Sequence, residues 1–132
     1  MTFVICTDVF MQGFVPNGSY SMRLMDYLSD ERFILALDDR IYFEYVAMLR
    51  RQRFGFDKND VNYFLKFIKE TAKFVTAEKL KISLIDLHYL KFVEAAKSVK
   101  ADALITKNTN GFKSAIGVIP VLTPREVFEK LI

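Results

Sequence analysis

Two acidic residues, Asp8 and Glu44, have the side chains and the sequence settings that divalent-metal chemistry requires. Asp8 follows a short apolar run, and a carboxylate just beyond a parallel strand usually faces a ligand or a metal. Glu44 shares one side of its predicted helix with Ile41, Tyr45 and Met48, at spacings of three and four. A carboxylate beside such an apolar stripe needs a partner or pays a desolvation penalty. Glu44 therefore either reaches water at the stripe edge or shares a site with Asp8.

Two carboxylates in one site repel each other, and a divalent cation relieves that repulsion. Mg²⁺ binds carboxylate oxygens and waters, and beside a phosphodiester it activates water and stabilises charge on the phosphate. The sequence has no glycine-rich nucleotide loop, no zinc spacing and no triad pattern around its one histidine, His88. Cys6 is expected to be a small buried hydrophobe, because thiolates prefer softer metals.

The elements that must position these residues alternate between strands and helices. Apolar, β-branched runs predict strands over residues 3–7, 32–37, 102–106 and 118–122. Apolar periodicity and capping residues predict helices over residues 20–29, 39–53, 58–73, 86–99 and 124–132. Strand–helix alternation requires crossover connections and hence a mostly parallel sheet. The prediction is one three-layer α/β/α domain spanning residues 1–132.

Composition limits the class of protein. The chain has 132 residues, and apolar residues make up 52% of them, which favours a single dense core. Its apolar stretches are only strand length, its N-terminus lacks a basic leader, and it carries one cysteine. These features predict no membrane span, no signal peptide and a reducing, cytoplasmic location. The net charge of +3 permits a nucleic-acid partner without requiring one.

Four stretches, in this order, are similar to one known family. They are VICTDV, the segment VPNGSYSMRLMDYLSDERFILALDDRIYFEYVAMLRR, the block LKFVEAAKSVKADALITKN and the closing GVIPVLTPREVFEKL. With them the chain resembles the PIN-domain proteins, in particular the VapC-like toxin components of toxin–antitoxin systems. The resemblance implies a PIN-like α/β/α fold. It also implies a cluster of acids that binds Mg²⁺ or Mn²⁺ and cleaves single-stranded RNA.

Carried onto this sequence, the family's acidic site is incomplete. The first acid position falls on Cys6, and Asp8 supplies a carboxylate two residues later. The helical acid is present as Glu44, whereas the third acid position falls on Tyr89. The fourth falls on Asn108.

Two further residues bear on this carry-over. Asp86, near the third acid position, is a candidate substitute for the missing acid. In family members with Asn at the fourth acid position, an Asp follows three residues later, where this chain has Gly111. The expected catalytic set is therefore Asp8, Glu44, Asp86 and Asn108, and the expected metal ligands are Asp8 and Glu44.

Two functional hypotheses follow, and a third interpretation is a structural relic that binds no ligand. The first is a divalent-metal-dependent endoribonuclease of the toxin type, acting on single-stranded RNA through this incomplete site. The second is a catalytically inactive PIN domain that serves as an RNA- or protein-binding module. The resemblance also implies an antitoxin partner and a homodimer.

Overall fold

The computed structural model describes residues 1–83 and 87–132. Within these ranges five strands alternate with six α-helices. The strands are β1 (Thr2–Ile5), β2 (Ile34–Leu37), β3 (Lys73–Phe74), β4 (Ala103–Ile105) and β5 (Val121–Leu122). The helices are α1 (Thr7–Gly13), α2 (Tyr20–Ser29), α3 (Asp39–Leu49), α4 (Lys58–Thr71), α5 (Leu90–Ser98) and α6 (Pro124–Lys130). Short 3₁₀ turns cover Gln52–Phe54, Leu87–Tyr89 and Thr109–Ala115.

The strands form one sheet in the order β3-β2-β1-β4-β5, and every neighbouring pair is parallel. This confirms the predicted α/β fold. β1 lies at the centre, with β2 on one side and β4 on the other, so the strand order reverses direction at β1. In open parallel sheets a crevice forms at such a reversal, beyond the carboxyl ends of the strands.

The core is built around the two central strands. Phe3, Val4 and Ile5 of β1 and all of Ala103–Ile105 in β4 have no exposed surface. Near-continuous apolar runs of this kind are typical of parallel strands that are covered on both faces. From α3, the buried Tyr45 hydroxyl donates a hydrogen bond to the carbonyl of Ile5. That bond attaches α3 to the carboxyl end of the central strand, where the candidate site lies.

Capping residues set several helix ends where the sequence predicted them. The Ser19 side chain accepts the N–H of Met22 at the start of α2. Asp57 accepts two backbone N–H groups at the start of α4. Thr123 and Glu126 form a complete capping box at the start of α6. Each of these side chains satisfies N–H groups that the helix itself leaves without a partner.

The first departure from the prediction follows β1. Residues 3–7 were expected to be a strand that ends in a turn, but the strand ends at Ile5 and α1 begins at Thr7. Cys6 is the N-cap, in extended conformation, and its side chain makes no capping hydrogen bond. The usual sequence signal for a helix start is therefore missing. Asp8 lies in the first turn of α1, where the helix dipole favours a carboxylate.

The helix that was expected over residues 39–53 is shorter. α3 ends at Leu49, and a separate 3₁₀ turn covers Gln52–Phe54. Gly55 closes that turn in the left-handed region, with φ of 64°, rather than ending α3. The chain thereby changes direction after α3. As a result, Phe54 and Phe56 line one cavity together with residues of α1 and α3.

The strand that was expected over residues 118–122 is reduced to β5. The N–H groups of Val118 and Ile119 both donate to the carbonyl of Ala115, which holds them in a turn. Pro120 follows and has no N–H to give to a sheet. Between β4 and β5 the chain forms the 3₁₀ turn Thr109–Ala115.

The helix that was expected over residues 86–99 begins as an α-helix only at Leu90, after the 3₁₀ turn Leu87–Tyr89. β3 was not predicted, because it has only two exposed residues at the edge of the sheet. Residues 84–86 lie outside the described ranges, and the expected role of Asp86 falls there. Across the described residues, no helix has the length and apolarity to cross a membrane.

Candidate functional site

Asp8 lies where the carboxyl ends of β1 and β4 meet. Its Oδ2 accepts the backbone N–H of Lys107 at 3.2 Å and faces the hydroxyl of Thr106 at 3.5 Å. Its Oδ1 is buried and has no hydrogen-bond partner among the residues that the structure describes. Burial raises the pKa of this carboxyl above its ordinary value, although the N–H of Lys107 partly opposes that shift.

Glu44 approaches the same place from α3, and both of its oxygens have partners. Oε1 accepts the ammonium of Lys91 at 2.8 Å, and Oε2 accepts the hydroxyl of Thr7. Thr7 belongs to α1 and Lys91 to α5, so one carboxylate connects three helices. The Glu44 side chain is 28% exposed. Glu44 therefore does not simply extend into water, because both of its oxygens bind side chains within the fold.

Both carboxylates line one cavity of about 610 Å³. Residues from α1, α3 and the Gln52–Phe54 turn supply most of the remaining wall, and Lys107 adds an ammonium side chain. The apolar part of that wall consists of Met11, Val15, Met48, Phe54 and Phe56. The cavity therefore combines two acids with a broad apolar and aromatic surface.

Asn108 is used differently. Its Oδ1 accepts the N–H of Gly111 at 3.3 Å and caps the 3₁₀ turn, while its Nδ2 donates to the hydroxyl of Tyr89 at 3.2 Å. The Tyr89 ring stacks on Phe112 with centroids 4.6 Å apart. A Cβ on Gly111 would lie 2.5 Å from a Tyr89 ring carbon. The family resemblance expects acids at positions 89 and 111. In this chain these positions are Tyr89 and Gly111, and the Tyr89 ring packs against Gly111.

Cys6 is the N-cap residue between β1 and α1, two residues before Asp8, and it is 3% exposed. Burial raises the pKa of its thiol well above the ordinary value, and the neighbouring charge of Asp8 raises it further. The thiol therefore stays protonated at neutral pH. A protonated thiol is a poor ligand for any cation and cannot replace a carboxylate.

Asp38, another acid after a strand, serves the scaffold. It caps α3 by accepting the N–H of Ile41 at 3.0 Å, and it pairs with Arg40 at 2.6 Å. Arg40 also pairs with the buried Glu94 at 2.8 Å. Glu94 in turn accepts the N–H of Leu80 at 2.8 Å. These contacts join α3, α5 and the segment before α5, so they hold the helices that carry Glu44 and Lys91.

Lys91 is the site residue that sequence reasoning missed. Its side chain is only 14% exposed, and besides Glu44 it donates to the carbonyl of His88 at 2.6 Å. One indication of a site role for Lys91 was visible in the sequence. Phe92, Val93 and Ala96 form the buried stripe of α5, and Lys91 lies beside that stripe. A lysine beside such a stripe commonly extends its ammonium toward water. Here it reaches a glutamate on another helix.

A basic and aromatic surface adjoins the cavity. Phe54 and Phe56 stack nearly parallel, with ring planes 13° apart, and the guanidinium of Arg53 lies 4.8 Å from the Phe54 centroid. Phe56 also lines a second cavity of about 640 Å³. That cavity carries Arg50, Arg51 and Lys58. We call Arg50, Arg51, Arg53, Phe54, Phe56 and Lys58 the basic–aromatic rim.

A family model described as PIN domain matches residues 2–110. The chain belongs to the PIN-domain family. The match covers β1 to the turn after β4 and therefore includes both carboxylates, Lys91 and the basic–aromatic rim. PIN domains are generally a nuclease fold, and they typically depend on Mg²⁺ or Mn²⁺. No curated protein matches the chain closely enough to count as a relative.

The side chains that the structure describes in this PIN domain do not fit such a metal. Among the described residues, no group of three or more Asp, Glu, His or Cys side chains could hold a metal ion. Both oxygens of Glu44 are engaged, and Oδ2 of Asp8 accepts the Lys107 N–H. Of the four carboxylate oxygens, only Asp8 Oδ1 lacks a hydrogen-bond partner among the described residues. Mg²⁺ needs about six oxygen ligands in octahedral order, and two carboxylates, one of them already paired with an ammonium, provide too few of them.

Proposed function

We propose that this PIN domain binds single-stranded RNA across the cavity and the basic–aromatic rim, without cutting it by metal-dependent chemistry. The observation that carries the proposal is the combination of an intact family fold with a Glu44 carboxylate already paired to Lys91. The basic–aromatic rim is largely exposed and can meet a partner, whereas the described residues do not supply the ligand set for a catalytic cation. The second of the two sequence hypotheses is therefore the better supported.

The rim has the features that single strands require. Bases of any sequence stack on aromatic rings, and each stacked base contributes roughly 1–3 kcal/mol. Phe54 offers a ring that is 37% exposed at the mouth of the cavity. Four cations, Arg50, Arg51, Arg53 and Lys58, adjoin the stacked rings and provide positive charge for the phosphates. If all four contact phosphates, log affinity falls with log salt at a slope of about −3.

The other roles expected from the resemblance remain predictions. A toxin role requires RNA cleavage. An antitoxin would occupy the cavity in place of RNA. A homodimer would bury surface between two chains. Co-purification with the protein encoded beside it tests the antitoxin. Sizing chromatography with light scattering tests the dimer, and a monomer at high concentration removes that prediction.

The binding test uses fluorescence anisotropy of a labelled single-stranded RNA with EDTA present. Phe54→Ala removes the exposed stacking ring, and Phe43→Ala removes an aromatic side chain that is 67% exposed but lines neither cavity. We expect Phe54→Ala to weaken binding by about tenfold, which corresponds to the loss of roughly one stacked base. Phe43→Ala should leave binding unchanged. No binding by the wild type, or equal losses in both variants, refutes the proposed interface.

A second pair of variants separates phosphate contact from general charge. Arg51→Gln removes a rim cation, whereas Arg125→Gln removes an arginine on α6 that pairs with Glu129. The rim variant should bind more weakly and reduce the salt slope by about 0.7. The α6 variant should change neither quantity. Equal effects from the two arginines mean that binding follows net charge rather than the rim.

The cleavage test uses the same RNA with Mn²⁺. We expect no products from the wild type. Products that disappear in both Asp8→Asn and Glu44→Gln establish the ribonuclease hypothesis instead. If Cys6→Asp with Tyr89→Asp creates activity that the wild type lacks, then the fold is a nuclease that has lost its acids, as proposed.

A further inference from the structure

We infer that the ammonium of Lys91, bound to Glu44 beside this cavity, is the resident cation of the site and that it closes the site to divalent metal ions. The inference deepens the proposed function, because it concerns the same cavity. It does not depend on RNA, and its test contains none. If this inference about Lys91 is wrong, the proposed RNA binding is still tested separately by the anisotropy experiment.

The first support is the way in which Lys91 is held. Its Nζ lies 2.8 Å from Glu44 Oε1 and 2.6 Å from the carbonyl oxygen of His88. An ammonium group has three donors, so two of them are bound to protein oxygens. With 14% of its side chain exposed, this lysine has given up most of the hydration that exposed lysines keep. The ammonium is a fixed part of the site.

The second support is the state of Glu44. Thr7 donates its hydroxyl to the oxygen that Lys91 does not contact, so each oxygen of Glu44 already accepts one hydrogen bond. A metal ion at the oxygen that Lys91 contacts would have to displace the ammonium or share that oxygen with a positive charge at close range. The displaced ammonium would then lose its carboxylate in a poorly hydrated place, which is costly.

The third support is the local charge. Asp8 and Glu44 bring two negative charges to the cavity, and Lys107 and Lys91 bring two positive charges to it or beside it. The formal charges cancel. Carboxylate sites attract divalent cations through uncompensated negative charge, and the described residues of this site leave none. Lys91 thus supplies Glu44 with the positive charge that a divalent ion would otherwise supply.

The test is metal binding by the full chain without RNA, using the electron paramagnetic resonance signal of free Mn²⁺. Wild type is compared with Lys91→Met and with Lys97→Met, a matched change of an exposed lysine on the same helix. We expect no stoichiometric binding by the wild type or Lys97→Met at about 1 mM Mn²⁺. Lys91→Met should bind Mn²⁺ at least about tenfold more tightly than either.

Thermal melting provides a second readout. Mn²⁺ should leave the melting temperature of the wild type unchanged and should raise that of Lys91→Met, because the ion replaces the missing ammonium. Adding Glu44→Gln to Lys91→Met should abolish the gain in binding. If Lys91→Met does not fold, Lys91→Gln is measured in the same way. Stoichiometric Mn²⁺ binding by the wild type, or no gain in a folded Lys91 variant, overturns the inference.

Discussion

The pair formed by Lys91 and Glu44 should be strongly coupled in free energy. Their charged atoms are 2.8 Å apart. Coulomb's law gives about 6 kcal/mol at an effective dielectric constant of roughly 20, and about 1.5 kcal/mol at that of water. The two side chains are 14% and 28% exposed, so the desolvation of both ions offsets much of the larger figure. We expect a net coupling of about 2 kcal/mol, above the value of typical exposed pairs.

The assay is a double-mutant cycle measured by urea unfolding at neutral pH. It uses the wild type, Lys91→Met, Glu44→Gln and the double variant. The hydrogen bond from Lys91 to the carbonyl of His88 is lost in both proteins that lack the lysine, so it cancels in the cycle. The hydroxyl of Thr7 meets an oxygen in both Glu and Gln and cancels as well.

The relative stabilities of the four proteins test the expected coupling between Lys91 and Glu44. Lys91→Met alone should be the least stable protein, because it leaves an uncompensated carboxylate. The double variant should recover part of that loss. A coupling energy below about 0.5 kcal/mol would mean that Lys91 and Glu44 interact no more strongly than ordinary surface ion pairs, and the expected coupling would be wrong.

Three further predictions concern the surroundings of the site. Burial raises the pKa of the Asp8 carboxyl in the folded protein above its ordinary value of 3.8, so the charged form destabilises the fold at neutral pH. Asp8→Asn should therefore raise the free energy of unfolding at neutral pH, and the gain should vanish as the pH falls below 3.8. Urea unfolding at a series of pH values measures this. Gly111→Ala should cost about 1–3 kcal/mol, because its new Cβ meets the Tyr89 ring, and Tyr89→Ala in the same chain should reduce that cost in thermal melts. Arg40→Met should cost about 3 kcal/mol in urea unfolding, because it leaves two buried carboxylates without their cation, whereas Arg125→Met should cost less than about 0.5 kcal/mol.

Local signals explain how much of the fold could be predicted. Ser19, Asp57 and Thr123 are strong caps, and each begins a helix where the sequence placed it. Buried strands such as β4 were visible as short apolar runs. α1 was missed because Cys6 caps it with backbone geometry alone. The end of α3 was missed because Gly55 closes a separate turn beyond it.

The candidate site was predictable only in part. Asp8 and Glu44 were expected to meet, and they line one cavity because β1 is central and Tyr45 attaches α3 to its end. Lys91 was not foreseen, because an ammonium that crosses between helices leaves no periodic pattern in the sequence. The Tyr89 ring over Gly111 is likewise a contact between distant residues, which spacing along the chain does not encode.

One sample can separate RNA binding from RNA cleavage by this PIN domain. Anisotropy of labelled single-stranded RNA is recorded with EDTA present, Mn²⁺ is then added in excess, and the RNA is examined on a denaturing gel. We expect saturable binding in EDTA, weakened by Phe54→Ala, and full-length RNA after Mn²⁺ addition. Cleavage by the wild type that is lost in Glu44→Gln would overturn the proposed function.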